Sequence, residues 1–459
     1  MLPEKFLIRM QSLLKEEYSM FLEAIAQKNV RAMRLNSSKA KAIVLENAFS
    51  GALSSVPYAP DAYIFDIDKI GNHPLHHAGA FYVQDPGAMA TLHALPIKKG
   101  WRVADFCAAP GGKTSQLSAY VGEEGLVLSN EIDRTRCKAL AGNLERLGVK
   151  NVLLTNTDSA TLGSWYSSYF DLVLVDAPCS GEGMFRKYDY ARSEWSEEGV
   201  LSCAKLQSEI LDAAAQTVKG GGYLLYSTCT FSLEENEKNV DAFLARHPDF
   251  FVDSISPELL PYTAEGIAFE GSLYPDSLRL TRRFYPHHAM GEGQYIALLK
   301  KREAVGTPSL GYKDAAQSLS KLEEELVRAF LAGVLSEEGQ NFVKSTFQLI
   351  KFKDSVFLKN PLPLPPHNVY APGICVGTLT KGRLEPHHQL FSAFGHCFLR
   401  KEELSAEGDT VKKYLRGETF TSSLENGYAA VLVEGCALGG IKVVGGVAKN
   451  HYPKGLRLH

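Results

Sequence analysis

The chain has 459 residues, a formal net charge of −3 and an apolar fraction of 45%, a composition typical of a globular protein with several domains. No stretch approaches the roughly 18 uninterrupted apolar residues of a membrane span. The small net charge gives no global argument for a nucleic-acid partner. We therefore expect no membrane association, and a nucleic-acid function needs local evidence.

The cysteines and histidines indicate neither a disulfide scaffold nor a metal scaffold. The eight cysteines contain no C-x-x-C pair, so we expect reduced thiols without a zinc ribbon. Three His-His pairs, at 76/77, 287/288 and 387/388, offer ligand atoms, but the sequence places no further ligand at metal spacing. We therefore expect no metal.

Residues 1–75 are predicted to form a separate, mainly helical leader domain. Apolar residues such as Phe6, Met10 and Phe21 recur near one helical face, with glutamates and lysines between them. A signal peptide would instead have a continuous apolar centre, so we expect a cytoplasmic protein. The leader also contains the segment RAMRLN (31–36).

The next part of the chain alternates between strand and helix patterns. Six apolar runs bounded by breakers are predicted to be strands: 102–106, 125–131, 151–156, 171–176, 222–227 and 294–300. Residues at helical spacing separate most of them. This alternation predicts an α/β fold with a parallel, doubly wound sheet.

The first predicted strand runs directly into CAAPGGKT (107–114), a glycine-bearing turn that opens a helix and suits close approach of a ligand. A Walker A loop is the competing interpretation, because its last three residues match here. However, Cys107 stands where that motif requires glycine, and Pro110 has no N–H to offer a phosphate. An adenosyl cofactor is favoured instead.

Such a cofactor needs a carboxylate at the end of the second strand to hold its ribose hydroxyls. Glu131 stands there, with Asp133 as the alternative, and helix N-capping is the structural role open to either acid. Asp158, just past the third strand, is placed to accept a hydrogen bond from an adenine amino group.

Two cysteines follow predicted buried strands. Cys179 lies in DAPCSG (176–181) and Cys229 in YSTCT (226–230). If their strands are neighbours in one parallel sheet, both thiols lie at its carboxyl edge, where a thiol can act as a nucleophile. The alternative is that both are small buried hydrophobic residues.

After residue 300 the pattern changes. We predict a helical connector and a Pro-rich linker over 301–373, and a small β-rich module over 374–459 with strands at 427–435 and 439–446. Residues 438–459 contain four basic residues and no acid, and 279–288 (RLTRRFYPHH) mix arginines with aromatics. Both stretches suit RNA, although a solvated charged face is equally compatible with either.

The motifs CAAPGGKT, NEIDRTR (130–136), DAPCSGEG and YSTCT, in this order, closely resemble the Nop/Sun family of RNA (cytosine-5) methyltransferases over roughly residues 76–300. RAMRLN and the segment 283–300 are similar to the family's leader motif and final strand. The closing KNHYPKGLR (449–457) resembles the PUA-type module of the bacterial RsmF-like branch. One departure is that Gly87 and Ala88 stand where relatives often carry serines.

The resemblance implies a mainly parallel, Rossmann-like class I methyltransferase domain over 76–300, flanked by an RNA-binding leader and a PUA-like RNA-binding domain. It implies S-adenosylmethionine as cofactor, small-subunit ribosomal RNA as partner, 5-methylcytosine as product, and a monomer. A transfer-RNA methyltransferase of the same chemistry is the first alternative. A non-catalytic RNA-binding assembly factor is the second, and the intact cysteine pair counts against it.

The resemblance also implies roles for site residues. Cys229 would attack carbon 6 of cytosine, Asp176 would hold its N3 and N4 edge, and Cys179 would assist release of the carbon-5 proton. Lys113 would help proton transfers, or simply neutralise the loop. The expected cofactor-binding residues are Cys107, Ala108, Ala109, Pro110, Gly111, Gly112, Lys113, Glu131, Arg136, Asp158 and Asp176.

Overall fold

The computed structural model describes residues 2–303 and 308–458. At its centre lies a 10-stranded sheet that contains all six predicted strands. In spatial order these are Gln294–Lys301, Val218–Thr228, Phe170–Asp176, Arg102–Asp105, Leu126–Asn130 and Val152–Thr155. Five of them run parallel, and only Gln294–Lys301 is antiparallel to its neighbour. The predicted mainly parallel sheet is confirmed.

Helices cover both faces of this sheet, which is why its strands are almost entirely apolar. One face packs against Ser159–Trp165, Glu197–Thr217 and Glu237–Arg246, and the other against Gly112–Val121 and Arg134–Arg146. Shorter strands extend the sheet, at Phe250–Val252, Ala264–Glu265, Arg282–Phe284 and Val369–Ala371. The strand order reverses beside Arg102–Asp105, and this switch point is where such sheets bind ligands.

The leader begins with the predicted helices, Glu4–Leu14 and Tyr18–Ala26, but it also contains a sheet that the sequence analysis does not predict. The sheet is antiparallel and four-stranded, and it consists of Leu53–Val56, Ala59–Phe65, Ala32–Leu35 and Phe81–Val83, with helix Ala42–Ala48 beside it. The leader is not separate, because Phe6 and Phe21 share a buried cluster with Phe185 and Phe231 of the next domain.

The connector holds helices Lys321–Val334 and Glu337–Thr346 and most of a second, five-stranded sheet. Its strands are Gln317–Ser318, Gln348–Phe352, Ser355–Lys359, Ile374–Thr380 and Arg383–Pro386. Because Ser355–Lys359 pairs with Ile374–Thr380, this sheet spans the predicted division at residue 373.

The Pro-rich segment is extended, as predicted, but it is not a free linker. Leu362 and Leu364 are buried in the core of the central sheet, and Val369–Ala371 adds an edge strand beside Val152–Thr155. A prolyl residue cannot donate to a sheet but packs well through its ring. Proline content therefore indicates extended backbone without indicating exposure.

The C-terminal part contains helices His388–Phe394 and Asp409–Arg416 and a five-stranded sheet. Its central strands, Gly427–Val433 and Cys436–Val444, are the two predicted ones, flanked by Lys401–Leu404, Val447–Asn450 and Phe420–Thr421. This part packs against the leader, because its Tyr414 and Val431 share one hydrophobic core with Met33 and Leu45 of the leader. Among the described residues, no helix combines the length and apolar character that a membrane crossing requires.

Candidate active site

The predicted catalytic side chains converge at the carboxyl edge of the central sheet. Strand Phe170–Asp176 and its parallel neighbour Val218–Thr228 end at the same level, and the segments that follow carry Cys179 and Cys229. The two sulfur atoms lie 3.2 Å apart. The structure therefore brings together two thiols that are fifty positions apart in the chain.

The electrostatic surroundings differ among the thiols of this site. The hydrogen bond with the Cys229 sulfur, together with desolvation, holds the pKa of Cys179 well above its usual range. Cys179 therefore remains protonated and can donate to the Cys229 sulfur. Desolvation also raises the pKa of the nearby Cys107 well above its ordinary value, so this thiol is a poor competitor as nucleophile.

The carboxylate of Asp176 is held by three donors. Lys113 Nζ lies 2.8 Å from one oxygen, while the Ser227 hydroxyl donates to the other at 2.7 Å and Gln294 Nε2 lies 3.4 Å from it. Lys113 is 8% exposed and Asp176 is 32% exposed, so the lysine is buried while the carboxylate faces the cavities. Sequence reasoning missed Ser227 and Gln294. Ser227 stands inside YSTCT, but nothing local marks Gln294, which reaches the site through the antiparallel strand.

The loop 107–113 has the tight turn that its glycines suggest. Gly111 has φ +107°, and a Cβ there would lie 2.9 Å from the Leu140 side chain, so both conformation and space require glycine. The next two side chains that a Walker A loop would use are otherwise engaged: Lys113 pairs with a carboxylate, and the Thr114 hydroxyl donates to Asp105 at 2.7 Å. This geometry favours the adenosyl interpretation of the loop.

The structure distinguishes the two acids, Glu131 and Asp133, that were considered as partners of the ribose hydroxyls. Asp133 is the N-cap of helix Arg134–Arg146 and accepts from the backbone N–H groups of Thr135 and Arg136. Glu131 is 2% exposed and accepts instead from the backbone N–H groups of Ala109, at 3.3 Å, and Asp133, at 3.0 Å. Glu131 is thus the acid that faces the loop.

Arg136 connects the loop to this acid. Its guanidinium donates to the Ala109 carbonyl at 2.8 Å and lies 3.4 Å from the Glu131 carboxylate. The side chain is 54% exposed, so it can move without disturbing the core.

Asp158 has a structural role that the sequence analysis does not assign to it. It is the N-cap of helix Ser159–Trp165 and accepts from the Thr161 backbone N–H and hydroxyl, both at 2.8 Å. These hydrogen bonds, the backbone one first, lower the pKa of Asp158. It is exposed, and contact with an adenine remains a prediction.

Two cavities, of about 600 and 560 Å³, open at the sheet edge and meet at Cys229. Cys107, Ala109 and Asp176 also line both. The first cavity extends under the leader, and the second extends past Arg136 and Cys179; neither reaches Glu131 or Asp158. Each has a volume typical of small-molecule sites. One sulfur atom therefore faces two spaces that can each accept a ligand.

A buried polar network, which the sequence did not reveal, supports the cysteine loop. The Glu235 carboxylate accepts from the Ser180 backbone N–H at 3.0 Å, from its hydroxyl, and from Gln207 Nε2 at 2.8 Å. Burial raises the pKa of Glu235, and burial with the nearby Glu235 charge raises that of Glu182 to about 7. The network fixes the residue that follows Cys179.

Gly87 and Ala88, which stand where relatives often carry serines, contact Asp85 through their backbone N–H groups. Asp85 caps helix Pro86–Ala90 by accepting from the N–H groups of Gly87, at 2.9 Å, and Ala88, at 3.4 Å. Lys187 Nζ lies 3.3 Å from the same carboxylate. Hydroxyl groups at positions 87 and 88 are therefore not needed to hold Asp85.

The segment 279–288 does not form the predicted basic and aromatic RNA surface. Phe284 and Tyr285 are buried, and Arg283 is paired with Glu237 at 2% and 0% side-chain exposure. The mixture of arginine and aromatic residues reflects an interior ion pair among packed rings. Sequence alone cannot distinguish these situations, because the composition is the same.

The histidine pair that follows contacts a carboxylate. His287 and His288 lie 3.0 and 3.1 Å from the Glu17 side chain, close enough for the three to share an ion. The hydrogen bond from His287 lowers the pKa of Glu17. The expectation of no metal remains a prediction.

In the basic tail, Lys449 is exposed, and Lys442 is half-buried with its ammonium 5.0 Å from the centre of the Tyr428 ring. Lys442 and Lys449 are directly opposite each other on neighbouring antiparallel strands. Like charges in this arrangement repel each other, so their placement favours an anionic partner. Arg457 differs, because its guanidinium donates to the Tyr452 carbonyl.

Comparison with known proteins gives consistent matches along the chain. Residues 92–300 match the family model of the 16S rRNA methyltransferase RsmB/F, 2–86 that of the N-terminal domain of 16S rRNA methyltransferase RsmF, and 401–458 that of the methyltransferase RsmF PUA domain. These matches follow the order of the leader, the central sheet and the C-terminal part.

Individual relatives agree with the family models. The chain is 30% identical to the ribosomal RNA small subunit methyltransferase F of Klebsiella pneumoniae, over 99% of this chain and 96% of that protein. It is 32% identical to the protein of the same name from Vibrio vulnificus, over 73% and 72%. A solved methyltransferase homologue from Pyrococcus horikoshii superposes with a TM-score of 0.56 at 28% identity, over 65% of this chain and 95% of that one.

Proposed function

Because the chain belongs to the RsmF family of 16S rRNA methyltransferases, we propose that it methylates carbon 5 of a cytosine in small-subunit ribosomal RNA, with S-adenosylmethionine as methyl donor and a covalent Cys229–cytosine intermediate. The observation that carries this proposal is the position of Cys229. Its sulfur lies where two ligand-sized cavities meet, 3.2 Å from a second thiol.

The residues around the loop suit the cofactor, which when bound supplies an electrophilic methyl group. Glu131 presents a buried carboxylate behind the loop, and Arg136 can leave it to free an oxygen for ribose hydroxyls. The loop 107–113 would line the rest of the cofactor, with Asp158 and Asp176 at its two ends. Ala109 and Gly112 leave little side-chain bulk against the ligand.

Carbon 5 of cytosine is a weak nucleophile, and the first role of Cys229 is to change that. Its thiolate adds to carbon 6, and the electron pair of the carbon 5–carbon 6 double bond becomes available at carbon 5. Asp176, oriented by Lys113 and Ser227, would hold the N3 and N4 edge of the cytosine by accepting from its amino group. The Lys113 ammonium beside it would offset the negative charge that the thiolate brings into the ring.

The second thiol completes the cycle. After methylation, Cys179 gives its own proton to solvent in the cavity that it lines. As a thiolate it then takes the proton from carbon 5, the ring regains its double bond, and Cys229 leaves as thiolate. While Cys229 is free, the hydrogen bond between the sulfurs keeps the pKa of Cys179 high. Once that sulfur is bonded to carbon 6, it no longer shares a proton with Cys179, and Cys179 can serve as the base.

The flanking domains would bind the RNA. The target base must leave its stack before a thiol can reach it. The leader (1–75) lines one wall of the first cavity, and the C-terminal part (374–459) presents Lys442 and Lys449. We assign both to RNA binding, with the phosphate contacts on the C-terminal part.

Single cysteine variants test the mechanism. Cys229→Ala should abolish methylation and form no covalent complex with RNA. Cys179→Ala should attack and methylate, then stall, so that a protein–RNA adduct accumulates on denaturing gels and disappears in the double variant. Cys375→Ala, a buried cysteine outside the site, is the matched control and should behave like the wild type.

If Cys229→Ala accumulates the adduct and Cys179→Ala forms none, Cys179 is the nucleophile and Cys229 assists release. Full turnover in both single variants would show that the two thiols are structural. Bisulfite sequencing of RNA from cells with and without the gene tests the substrate. Loss of a cytosine mark from transfer RNA alone would favour the transfer-RNA alternative. Loss of no mark would favour the assembly-factor alternative.

A further inference from the structure

Two exposed tyrosines stand at the mouth of the candidate active site. Tyr188 and Tyr190 are 45% and 59% exposed, and their ring centroids lie 5.2 Å apart at an interplanar angle of 25°. This is the offset stacked geometry that aromatic rings prefer. Neither ring belongs to a hydrophobic core cluster of the described chain. Core packing therefore does not explain them.

Their position relates them to both cavities. Tyr188 lines the first cavity and Tyr190 lines the second, and both cavities reach Cys229. The stacked pair therefore borders both openings to the proposed nucleophile. Each of the two cavities that could admit a base to Cys229 therefore has one of these rings in its lining.

The backbone that carries the rings is fixed on both sides. Before them, Arg186 forms a buried ion pair with Glu292 at 2.6 Å. After them, the Trp195 indole donates to Glu182 at 3.0 Å. The rings thus project from an anchored segment, and little ordering is needed when a ligand stacks on them.

From this arrangement we infer that Tyr188 and Tyr190 form a stacking platform for the RNA base next to the target cytosine, a role that rests on the proposed RNA substrate. Extrusion of the target base removes a stacking partner from its neighbour. An exposed aromatic face offers a replacement that accepts any base. The outer face of Tyr190, the more exposed ring, is the contact surface.

The test uses the full-length protein and a ribosomal RNA fragment that the wild type methylates, with 2-aminopurine next to the target cytosine. The fluorescence of 2-aminopurine is quenched by stacking. In the wild-type complex it should stay low. In Tyr188→Ala/Tyr190→Ala it should rise, and RNA affinity should fall about 10-fold or more, as expected for a lost base stack.

Three readouts separate stacking from other roles. Tyr188→Phe/Tyr190→Phe keeps the rings and should stay within about 2-fold of the wild type, since stacking needs no hydroxyl. Because no phosphate contact is lost, the salt dependence of binding should be the same in all variants. The thermal midpoint should also be unchanged, because neither ring belongs to a hydrophobic core cluster.

The outcomes are distinguishable. A wild type that neither binds nor methylates the RNA contradicts the proposed function itself. A wild type that methylates, with an Ala variant equal to it in KM and fluorescence, overturns the platform alone. Equal losses in the Phe and Ala variants also overturn it, because they would assign the contact to the hydroxyl groups.

Discussion

The buried pair Arg283–Glu237 provides a quantitative test of how the segment 279–288 is used. Arg283 Nε donates to Glu237 at 2.6 Å, a second guanidinium nitrogen reaches the other carboxylate oxygen, and a third donates to the Phe231 carbonyl at 2.8 Å. Arg283→Met leaves the Glu237 charge buried without its cation. Removal of one partner of such a pair costs about 3 to 5 kcal/mol, and we expect the free energy of unfolding to fall by that amount.

Urea denaturation of a double-mutant cycle measures this cost. Glu237→Gln should be destabilising to a similar extent, while Arg283→Met/Glu237→Gln should be more stable than either single variant, because no charge is then stranded. Arg279→Met, in the same segment but exposed, is the matched control and should stay within about 0.5 kcal/mol of the wild type. Two results would show that the pair is not buried as described. One is a double variant whose loss of unfolding free energy equals the sum of the two single losses, and the other is a loss below about 1 kcal/mol for Arg283→Met.

Three further predictions follow from other charged groups. Burial raises the pKa of Asp105 from 3.8 to about 7. The unfolded chain therefore releases this proton at a lower pH than the folded protein does. As a result, the free energy of unfolding decreases as the pH rises from about 4 to 7, and it remains lower above pH 7. Asp105→Asn should remove this penalty of about 3 to 4 kcal/mol at pH 8 and change little at pH 4 in urea denaturation. Lys442→Ala/Lys449→Ala should weaken RNA binding and reduce its salt slope by about 1 to 2 in filter-binding titrations, whereas an unchanged slope would make these lysines a solvated face. Glu131→Ala should weaken S-adenosylmethionine binding by about 1.5 to 3 kcal/mol in calorimetry, and unchanged affinity would remove this residue from the cofactor site.

The central sheet could be predicted because each strand carries its own signal. A strand buried on both faces is an unbroken apolar run, and Phe170–Asp176 is buried at its first six positions. Parallel strands also place their following residues at one edge, so Asp176, Cys179 and Cys229 could be brought together before any contact was known. The position of the cysteine pair could therefore be predicted from strand ends, whereas the role of Asp176 was implied only by the family resemblance.

The leader sheet carried no such signal. Strand Leu53–Val56 is only partly buried, and Ala32–Leu35 has just four residues, too few for a clear period. Gln294 could not be found either, since it reaches Asp176 from a strand 118 positions away whose pairing the sequence does not encode locally. The packing of the flanking parts against the rest of the chain could not be predicted either, because the sequence of an apolar face does not identify the surface that covers it.

Helix Arg134–Arg146 connects the leader and the C-terminal part to the residues that we propose for cofactor binding. The last carbonyls of a helix have no partner within it. Here the Ser392 hydroxyl donates to the Glu145 carbonyl, and Lys39 Nζ donates to that of Arg146 at 3.1 Å.

These two donors come from opposite ends of the chain, so the leader and the C-terminal part are attached to the same helix end. The other end of that helix carries Asp133 and Arg136, which contact Glu131 and the loop. Lys39 also donates to the Ala437 carbonyl at 2.7 Å, which joins the two flanking parts directly. RNA bound by the flanking parts, as we propose, would therefore be positioned relative to the proposed cofactor residues through this one helix.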